Sequence, residues 1–300
     1  MSTLIVLVGP TGVGKTELSV ALAKHLNSPI ISSDSRQFYK EFLIGTAPPT
    51  PRQLAEVQHY FIHSRSITED YTAGKFELEA LPLIAELFKT YDRLLMVGGS
   101  GLYIDAVCQG IDAIPGTDNK LRTELMQRLE SEGLQSLQQE LQTLDSTTYN
   151  QIDINNPQRI VRALEVCITS GECYSDLKQI KAKERDFNVV KIGLNRDREE
   201  LYNRINLRVD KMLEDGLLEE AQALYPQRNL NALKTVGYKE LFDYLDGSIT
   251  LEKAVELIKR NSRRYAKRQL TWFARYNDIH WFHPNDIKGV IAAVDNLTNN

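Results

Sequence analysis

The stretch Leu4-Ile5-Val6-Leu7-Val8-Gly9-Pro10-Thr11-Gly12-Val13-Gly14-Lys15-Thr16 decides how the rest of this 300-residue chain is read. Five consecutive apolar residues without alternation predict a strand buried on both faces, as in a parallel sheet covered by helices. The pattern G-x-x-x-x-G-K-[ST] follows at once, from Gly9 to Thr16. Beyond it Leu18, Ala21, Leu22 and Leu26 recur at the three- and four-residue spacing of a helix. Between a strand and a helix, the backbone N–H groups of such a loop converge on phosphate oxygens, and the helix N-terminus adds positive partial charge. Gly9 to Thr16 is therefore predicted to hold a diphosphate or triphosphate, with Lys15 as a mobile cation and the Thr16 hydroxyl on a Mg²⁺ ion. The loop serves kinases, ATPases and other transferases alike, so it identifies a ligand class and not a reaction.

Outward from this stretch, Pro29–Ser32, Leu94–Val97, Asn188–Leu194 and Ile279–Phe282 read as further strands separated by helical segments. The predicted fold is α/β: a P-loop NTPase-like parallel sheet with helices on both faces. Residues 113–185 have a different texture, rich in Leu, Gln and Glu at helical periodicity, and are predicted to form a helical insertion domain into a core made of 1–112 and 186–300. Composition agrees with a globular protein: 42% hydrophobic and 25% charged residues, 17 Gly and 10 Pro, exclude collagen-like, disordered and disulfide-scaffold classes. Cys108, Cys167 and Cys173 show no C-x-x-C spacing, which predicts reduced thiols and a cytoplasmic location. No apolar run approaches the length of a membrane span. The five histidines are scattered, which argues against zinc. With 36 basic and 40 acidic residues, the net charge of −4 excludes a global basic field for nucleic acid and leaves room only for a local patch.

Three further groups of residues carry chemistry. Asp34-Ser35-Arg36-Gln37 follows the second strand and projects over the same edge as the phosphate loop; Asp34 reads as a Mg²⁺ ligand, as a general base, or as the cap of a turn. The strand Leu94–Val97 ends in Gly98-Gly99-Ser100-Gly101, not in an acid, which counts against ordinary nucleotide hydrolysis. Arg159 and Arg162 share a face of the helix opened by Asn156-Pro157, and Arg204 and Arg208, four apart on another, suit a forked grip on a diphosphate. Finally Lys259, Arg260, Arg263, Arg264, Lys267, Arg268 and Arg275 fall within a stretch free of acids, beside an apolar stripe of Ile258, Tyr265, Trp272 and Tyr276. The stripe anchors the helix by its other face, and the cations fit the polyphosphate of RNA, with aromatics to support or stack; a membrane-surface helix and an ordinary solvated basic face are the competing readings.

In order and wording these motifs resemble the tRNA dimethylallyltransferase family, also called tRNA isopentenyltransferases, of bacterial type. The resemblance covers Gly9 to Thr16, Asp34-Ser35 with Gly45-Thr46-Ala47, Gly98 to Tyr103, Asn156-Pro157-Gln158-Arg159 to Glu165, Val236-Gly237-Tyr238-Lys239-Glu240, and Arg263 to Phe273. It implies transfer of a dimethylallyl group from dimethylallyl diphosphate to N6 of the adenosine immediately 3′ of the anticodon, position 37 of tRNA, with Mg²⁺ and release of diphosphate. It also implies roles. Gly9, Pro10, Thr11, Gly12, Val13, Gly14, Lys15, Thr16, Arg204 and Arg208 would hold the diphosphate, with Thr16 on the Mg²⁺. Asp34 would be the general base and Ser100 its hydrogen-bonding companion. Asp34, Ser35, Arg36, Gln37, Gln158, Arg159, Ile160, Val161, Arg162, Arg264, Lys267 and Arg268 would bind the tRNA anticodon stem-loop around an extruded base. The expected state is a monomer without membrane attachment. Many relatives have Thr where this chain has Ser100, and Lys where it has Pro48. Rival readings are an adenylate isopentenyltransferase with a free nucleotide acceptor, a small-molecule kinase or ATPase, and a non-catalytic RNA-binding module.

Overall fold

The computed structural model describes residues 2–112, 114–116, 118–178 and 183–298. Ala113, where the sequence predicts the insertion to begin, and Lys181, where it predicts the exit segment, lie outside the described residues. The chain divides into two compact units, Met1–Gln109 with Glu184–Asn300, and Gly110–Lys183.

The first unit opens with β1 (Thr3–Val8), the glycine loop, α1 (Lys15–Leu26) and β2 (Ile30–Ser32). Next come α2 (Pro51–Glu56) and β3 (His59–Tyr60), two short elements the sequence pattern does not announce. α3 (Ala73–Leu87), β4 (Arg93–Gly98) and α4 (Gly101–Cys108) complete this run. The second unit supplies α5 (Asn119–Glu132), α6 (Leu134–Leu144), α7 (Ser146–Gln151), α8 (Pro157–Ser170) and α9 (Tyr174–Leu177). The chain then returns as β5 (Asn188–Leu194), α10 (Arg198–Glu214), α11 (Leu217–Leu224), α12 (Tyr238–Leu245), α13 (Leu251–Phe273), β6 (Ile279–Phe282) and α14 (Ile287–Thr298).

Among the described residues, the six strands are all parallel, in the order β3-β2-β4-β1-β5-β6. The unbroken apolar run of β1 has a direct cause. Ile5 and Leu7 pack with Leu18, Leu22, Val290 and Val294 of α1 and α14 on one face. Leu4, Val6 and Val8 pack with Phe76, Ile84, Ile104 and Val107 of α3 and α4 on the other. Alternate residues thus feed two cores, and each fully buried side chain contributes about 1.5–3 kcal/mol of transfer free energy. Because β4 lies between β1 and β2, with Val8 opposite Gly98 and Ser32 opposite Val97, the segments leaving the three strands emerge side by side. A third cluster joins α10, α11, α12 and α13 through Val209, Leu217, Leu241 and Ile258, and takes in Tyr39 and Phe42 from the segment after β2.

The second unit has its own core of Leu125, Leu137, Leu141, Ile160, Val161 and Leu164. Where the chain re-enters the first unit, Arg185 caps the end of α4: its guanidinium donates to the carbonyls of Ala106 and Val107 at 2.8 Å and to Glu77 Oε1 at 2.9 Å. Among the described residues, no helix is long and apolar enough to cross a membrane.

Candidate active site

The glycine loop is braced from three sides. At Gly12 the backbone adopts φ 81°, and a Cβ there would stand 2.8 Å from Ile205 of α10, so only glycine lets the helix approach. From α10, Arg204 Nε donates to the Gly12 carbonyl at 3.0 Å and Arg208 to the Thr11 hydroxyl at 3.1 Å. From α13, the buried Gln269 accepts from the Thr11 N–H at 2.8 Å and donates to the Gly99 carbonyl at 2.8 Å. One amide thereby ties the loop after β1 to the loop after β4.

Lys15 folds back onto this loop, donating to the carbonyls of Gly9 at 2.8 Å and Pro10 at 3.0 Å. Burial pushes its ammonium down to about 8; Asp34 opposes the shift and Arg208 adds to it. Arg208 is likewise pushed below its ordinary value by burial, with Asp34 opposing and Arg204 adding. Three cations held close at some electrostatic cost describe a site organised for an anion.

Asp34 opens the segment after β2, its carboxylate accepting from the Arg36 N–H at 3.0 Å in a turn that fixes the side chain. The Ser100 hydroxyl, at the start of α4, accepts from the Ser35 N–H and donates to the Ser35 hydroxyl, both at 3.0 Å. Tyr265 of α13 completes the cluster. Burial pushes its phenol up to about 12, reinforced by the Asp34 carboxylate, while a hydrogen bond with Ser100 acts in the opposite sense. Gln37 Nε2 donates to the carbonyls of Thr46 and Ala47 at 3.2 and 3.1 Å, folding the Gly45–Pro49 segment over the site. That segment is held from behind by Glu220, whose carboxylate accepts the N–H groups of Leu43, Ile44 and Gly45 and, at 2.5 Å, the Tyr238 hydroxyl. A Cβ on Gly45 would lie 2.6 Å from that hydroxyl, which explains the glycine.

These groups open into a cavity of about 610 Å³, formed wholly by the first unit. Of the predicted site residues it gathers Thr11, Gly12, Gly14, Lys15 and Thr16 of the loop, Asp34 to Gln37, and Arg204, Arg208 and Arg268. Gly9 and Pro10 serve through their carbonyls, and Val13 is a core residue. Ser100 acts on Ser35 and does not line the cavity. Arg264 and Lys267 are exposed on α13. Other cations of that stretch are engaged: Lys259 with Asp210 at 2.5 Å, Arg263 with Asn206 at 2.6 Å, and Arg275 over the Trp272 ring. Trp272 and Tyr276, members of the apolar stripe read as the anchoring face, hydrogen-bond Asp105 and tie the end of α13 to α4.

In the second unit, two predicted tRNA contacts need correction. Ile160 and Val161 are fully buried, because the α8 face that carries them is the one that fills the local core. Arg162 is held by the buried Glu165 at 3.1 Å and the Pro115 carbonyl at 2.7 Å, and Gln158 by Arg122 at 3.0 Å. Arg159 is exposed. The sequence reading places Tyr265 only in the apolar stripe and gives Gln269 and Glu220 no role; Tyr265 and Gln269 lie at i and i+4 on the basic helix, facing opposite to its free cations, and that spacing is the available signal.

The model of the IPP transferase family matches residues 37–276. The chain belongs to this family. Among IPP transferases, the tRNA dimethylallyltransferase 1 of Phocaeicola vulgatus is 53% identical over 297 residues, covering 99% of each chain. A full-length tRNA isopentenylpyrophosphate transferase from Bacillus halodurans has a similar structure, with TM-score 0.74 and 38% identity over 100% of this chain and 97% of that one. A eukaryotic dimethylallyltransferase captured acting on tRNA gives TM-score 0.80 at 27% identity, covering 100% of this chain and 80% of that chain.

Proposed function

We propose that this IPP transferase moves a dimethylallyl group from dimethylallyl diphosphate to N6 of the adenosine immediately 3′ of the tRNA anticodon, releasing diphosphate. The observation that carries this is the common cavity: the glycine loop with Lys15, the pair Arg204 and Arg208, and the carboxylate of Asp34 all open into it. Cations alone would suit any polyphosphate. A carboxylate beside them, with no strand-end acid after β4, suits a reaction in which a proton must be removed next to a departing diphosphate.

In this reading the diphosphate lies against the loop N–H groups, and Lys15 exchanges its carbonyl partners for phosphate oxygens. As N6 attacks the allylic carbon, the carbon–oxygen bond breaks and its electron pair leaves with the diphosphate, whose charge Lys15, Arg204 and Arg208 neutralise. Asp34 takes the N6 proton. The two hydrogen bonds between Ser35 and Ser100 hold the Asp34–Gln37 segment in place, so Ser100 acts by positioning. Among the described residues, no group of three or more His, Cys, Asp or Glu forms a metal cage. Thr16, in the cavity wall beside Lys15, fits Mg²⁺, which binds through one or two protein oxygens plus substrate phosphates. When bound there, the ion supplies further positive charge to the leaving group. The exposed Arg264, Lys267 and Arg268 of α13 support a grip on the phosphates of the tRNA anticodon stem-loop, and Arg159, exposed on α8, is a separate candidate contact; the enzyme is taken to act as a monomer in the cytoplasm.

The test is to incubate the protein with Mg²⁺, radiolabelled dimethylallyl diphosphate and unmodified tRNA whose anticodon ends in A followed by A, with AMP and ATP in parallel. Label in tRNA is expected. Label in AMP alone would assign a free-nucleotide acceptor, and conversion of ATP to ADP without labelling would overturn the transferase reading.

A further inference from the structure

The turn from Phe42 to Ala47 enters the cavity wall in a conformation that its residues do not favour. Ala47 has φ 45°, in the left-handed region where a Cβ is strained, and it lines the cavity beside Thr46 and Pro48. Such a backbone persists only where its surroundings hold it. Within the turn, the Ala47 N–H donates to the Ile44 carbonyl at 2.9 Å and the Thr46 hydroxyl to the Phe42 carbonyl at 3.2 Å. From outside it, Glu220 supplies a clamp from the first turn of α11. Its Oε2 accepts the Leu43 and Ile44 N–H groups, both at 2.8 Å, and its Oε1 accepts the Gly45 N–H at 2.9 Å and the Tyr238 hydroxyl at 2.5 Å. Tyr238 is fully buried, stacks on Phe42 with ring centroids 4.7 Å apart, and directly follows Lys234–Gly237, a second segment of the cavity wall. Burial, and then the Glu220 charge, push its phenol above the ordinary value, which keeps it the donor. One carboxylate thus joins two wall segments.

The turn in its held form fixes Gln37. Because Nε2 donates to both the Thr46 and the Ala47 carbonyl, turning this amide over would set its oxygen against two carbonyl oxygens. The Gln37 N–H also donates to the Asp34 carbonyl at 3.1 Å, so the amide and the proposed base belong to one short turn. We infer that Glu220 is a positioning residue for the acceptor side of the cavity: it holds the Phe42–Ala47 turn in its strained form and, through that turn, the Gln37 amide beside Asp34. The phosphate loop is held separately, by Arg204, Arg208 and Gln269. Loss of the Glu220 carboxylate should therefore slow transfer and spare the binding of diphosphate. The strain at Ala47 makes the inference specific, since glycine adopts the same φ without it and renders the turn less dependent on its clamp.

This inference rests on the proposed transferase reading and is tested beside it. Wild type, Glu220→Gln, Tyr238→Phe, Ala47→Gly and the double variant Glu220→Gln with Ala47→Gly are assayed for transfer from dimethylallyl diphosphate to tRNA and for inhibition by inorganic diphosphate. Hydrogen exchange is followed at the amides of Leu43, Ile44 and Gly45. Glu220→Gln keeps the size of the side chain and replaces one accepting oxygen by an NH2 group that faces donors. Exchange at the three amides should quicken and kcat should fall by at least about ten-fold, the scale on which misplaced reacting groups lose rate, while inhibition by diphosphate stays within about two-fold of wild type. Tyr238→Phe removes one of the four donors and keeps the ring stack, so its loss of kcat should be smaller, about three-fold. Added to Glu220→Gln, Ala47→Gly should restore about five-fold of the lost rate, the lower end of what a left-handed backbone costs a residue with a Cβ, and more than it changes the wild-type rate. Wild-type kcat in Glu220→Gln overturns the inference, as does a lost rate that Ala47→Gly does not restore. A decline of diphosphate inhibition in step with kcat in both Glu220→Gln and Tyr238→Phe overturns it too, since it would assign a general structural role. Wild type that fails to label tRNA overturns the underlying reading instead, whereas unchanged exchange at the three amides in Glu220→Gln overturns the clamp whether or not tRNA is labelled.

Discussion

Asp34 and Lys15 carry opposite charge at one cavity, and each is expected to fail in its own way when altered. Asp34→Asn keeps the shape of the turn made with the Arg36 N–H and loses the proton acceptor. The rate of transfer should fall by at least about 100-fold at nearly unchanged KM for dimethylallyl diphosphate, because the carboxylate is needed in the transition state and not for binding. Lys15 should instead show itself in pH dependence. Its ammonium is lowered to about 8 by burial, and the diphosphate favours the charged form. Affinity is therefore full below that value and lost above it: at pH 9 only about one-tenth of the side chain is charged, so a non-hydrolysable donor analogue should bind about ten-fold more weakly than at pH 7. Calorimetry at the two pH values, with Lys15→Arg as the variant that stays charged, checks this; an equal decline in both proteins would assign the effect elsewhere.

At the scale of the element, α13 does two jobs on opposite faces. Inward, Gln269 satisfies the Thr11 N–H and the Gly99 carbonyl; outward, Arg264 and Lys267 reach solvent. Gln269→Leu leaves the buried Gly99 carbonyl unpaired, at about 1–3 kcal/mol, and frees the part-buried Thr11 N–H. We expect a lower melting temperature together with a raised KM for the donor, since the phosphate loop loses its tie to the loop after β4. The double variant Arg264→Ala with Lys267→Ala should leave donor KM alone and weaken tRNA binding, reducing the slope of log affinity against log salt by about one for each phosphate contact removed. The helix also shows what a sequence can disclose. Its amphipathic period and acid-free run are patent, but which cations are free depends on Asp210, Asn206 and Asp105, far away in the chain. The strands tell the same story: β5 and β6 are bounded in the sequence as they are in the structure, although burial is partial, covering Lys191 to Leu194 of β5 and, in the edge strand β6, Ile279 but not His280 or Trp281. The two-residue β3 gives no signal in the sequence, being held by its pairing to β2 and not by its own composition.

For the whole molecule, the separation of cores divides the consequences of mutation. The chain from Gly110 to Lys183 buries Ile160 and Val161 among its own helices, whereas the cavity is built from the other unit. The sequence pattern Asn156-Pro157-Gln158-Arg159-Ile160-Val161-Arg162 announces a helix start correctly, with Asn156 capping the N–H groups of Gln158 and Arg159. Its faces cannot be ranked from the motif alone, since a motif shared across a family records packing as readily as contact. Ile160→Ala should cost about 2–5 kcal/mol, the range for truncating a buried aliphatic side chain. The loss should appear as earlier melting of the Gly110–Lys183 unit by hydrogen exchange, with inhibition by inorganic diphosphate unchanged. Arg159→Glu should do the reverse, leaving exchange in that unit as in wild type and reducing transfer to tRNA through repulsion of the phosphate backbone. If Ile160→Ala weakened diphosphate binding as much as it destabilised its own unit, the two cores would be one cooperative system. If Arg159→Glu left tRNA transfer untouched, the α8 surface would have no part in holding RNA.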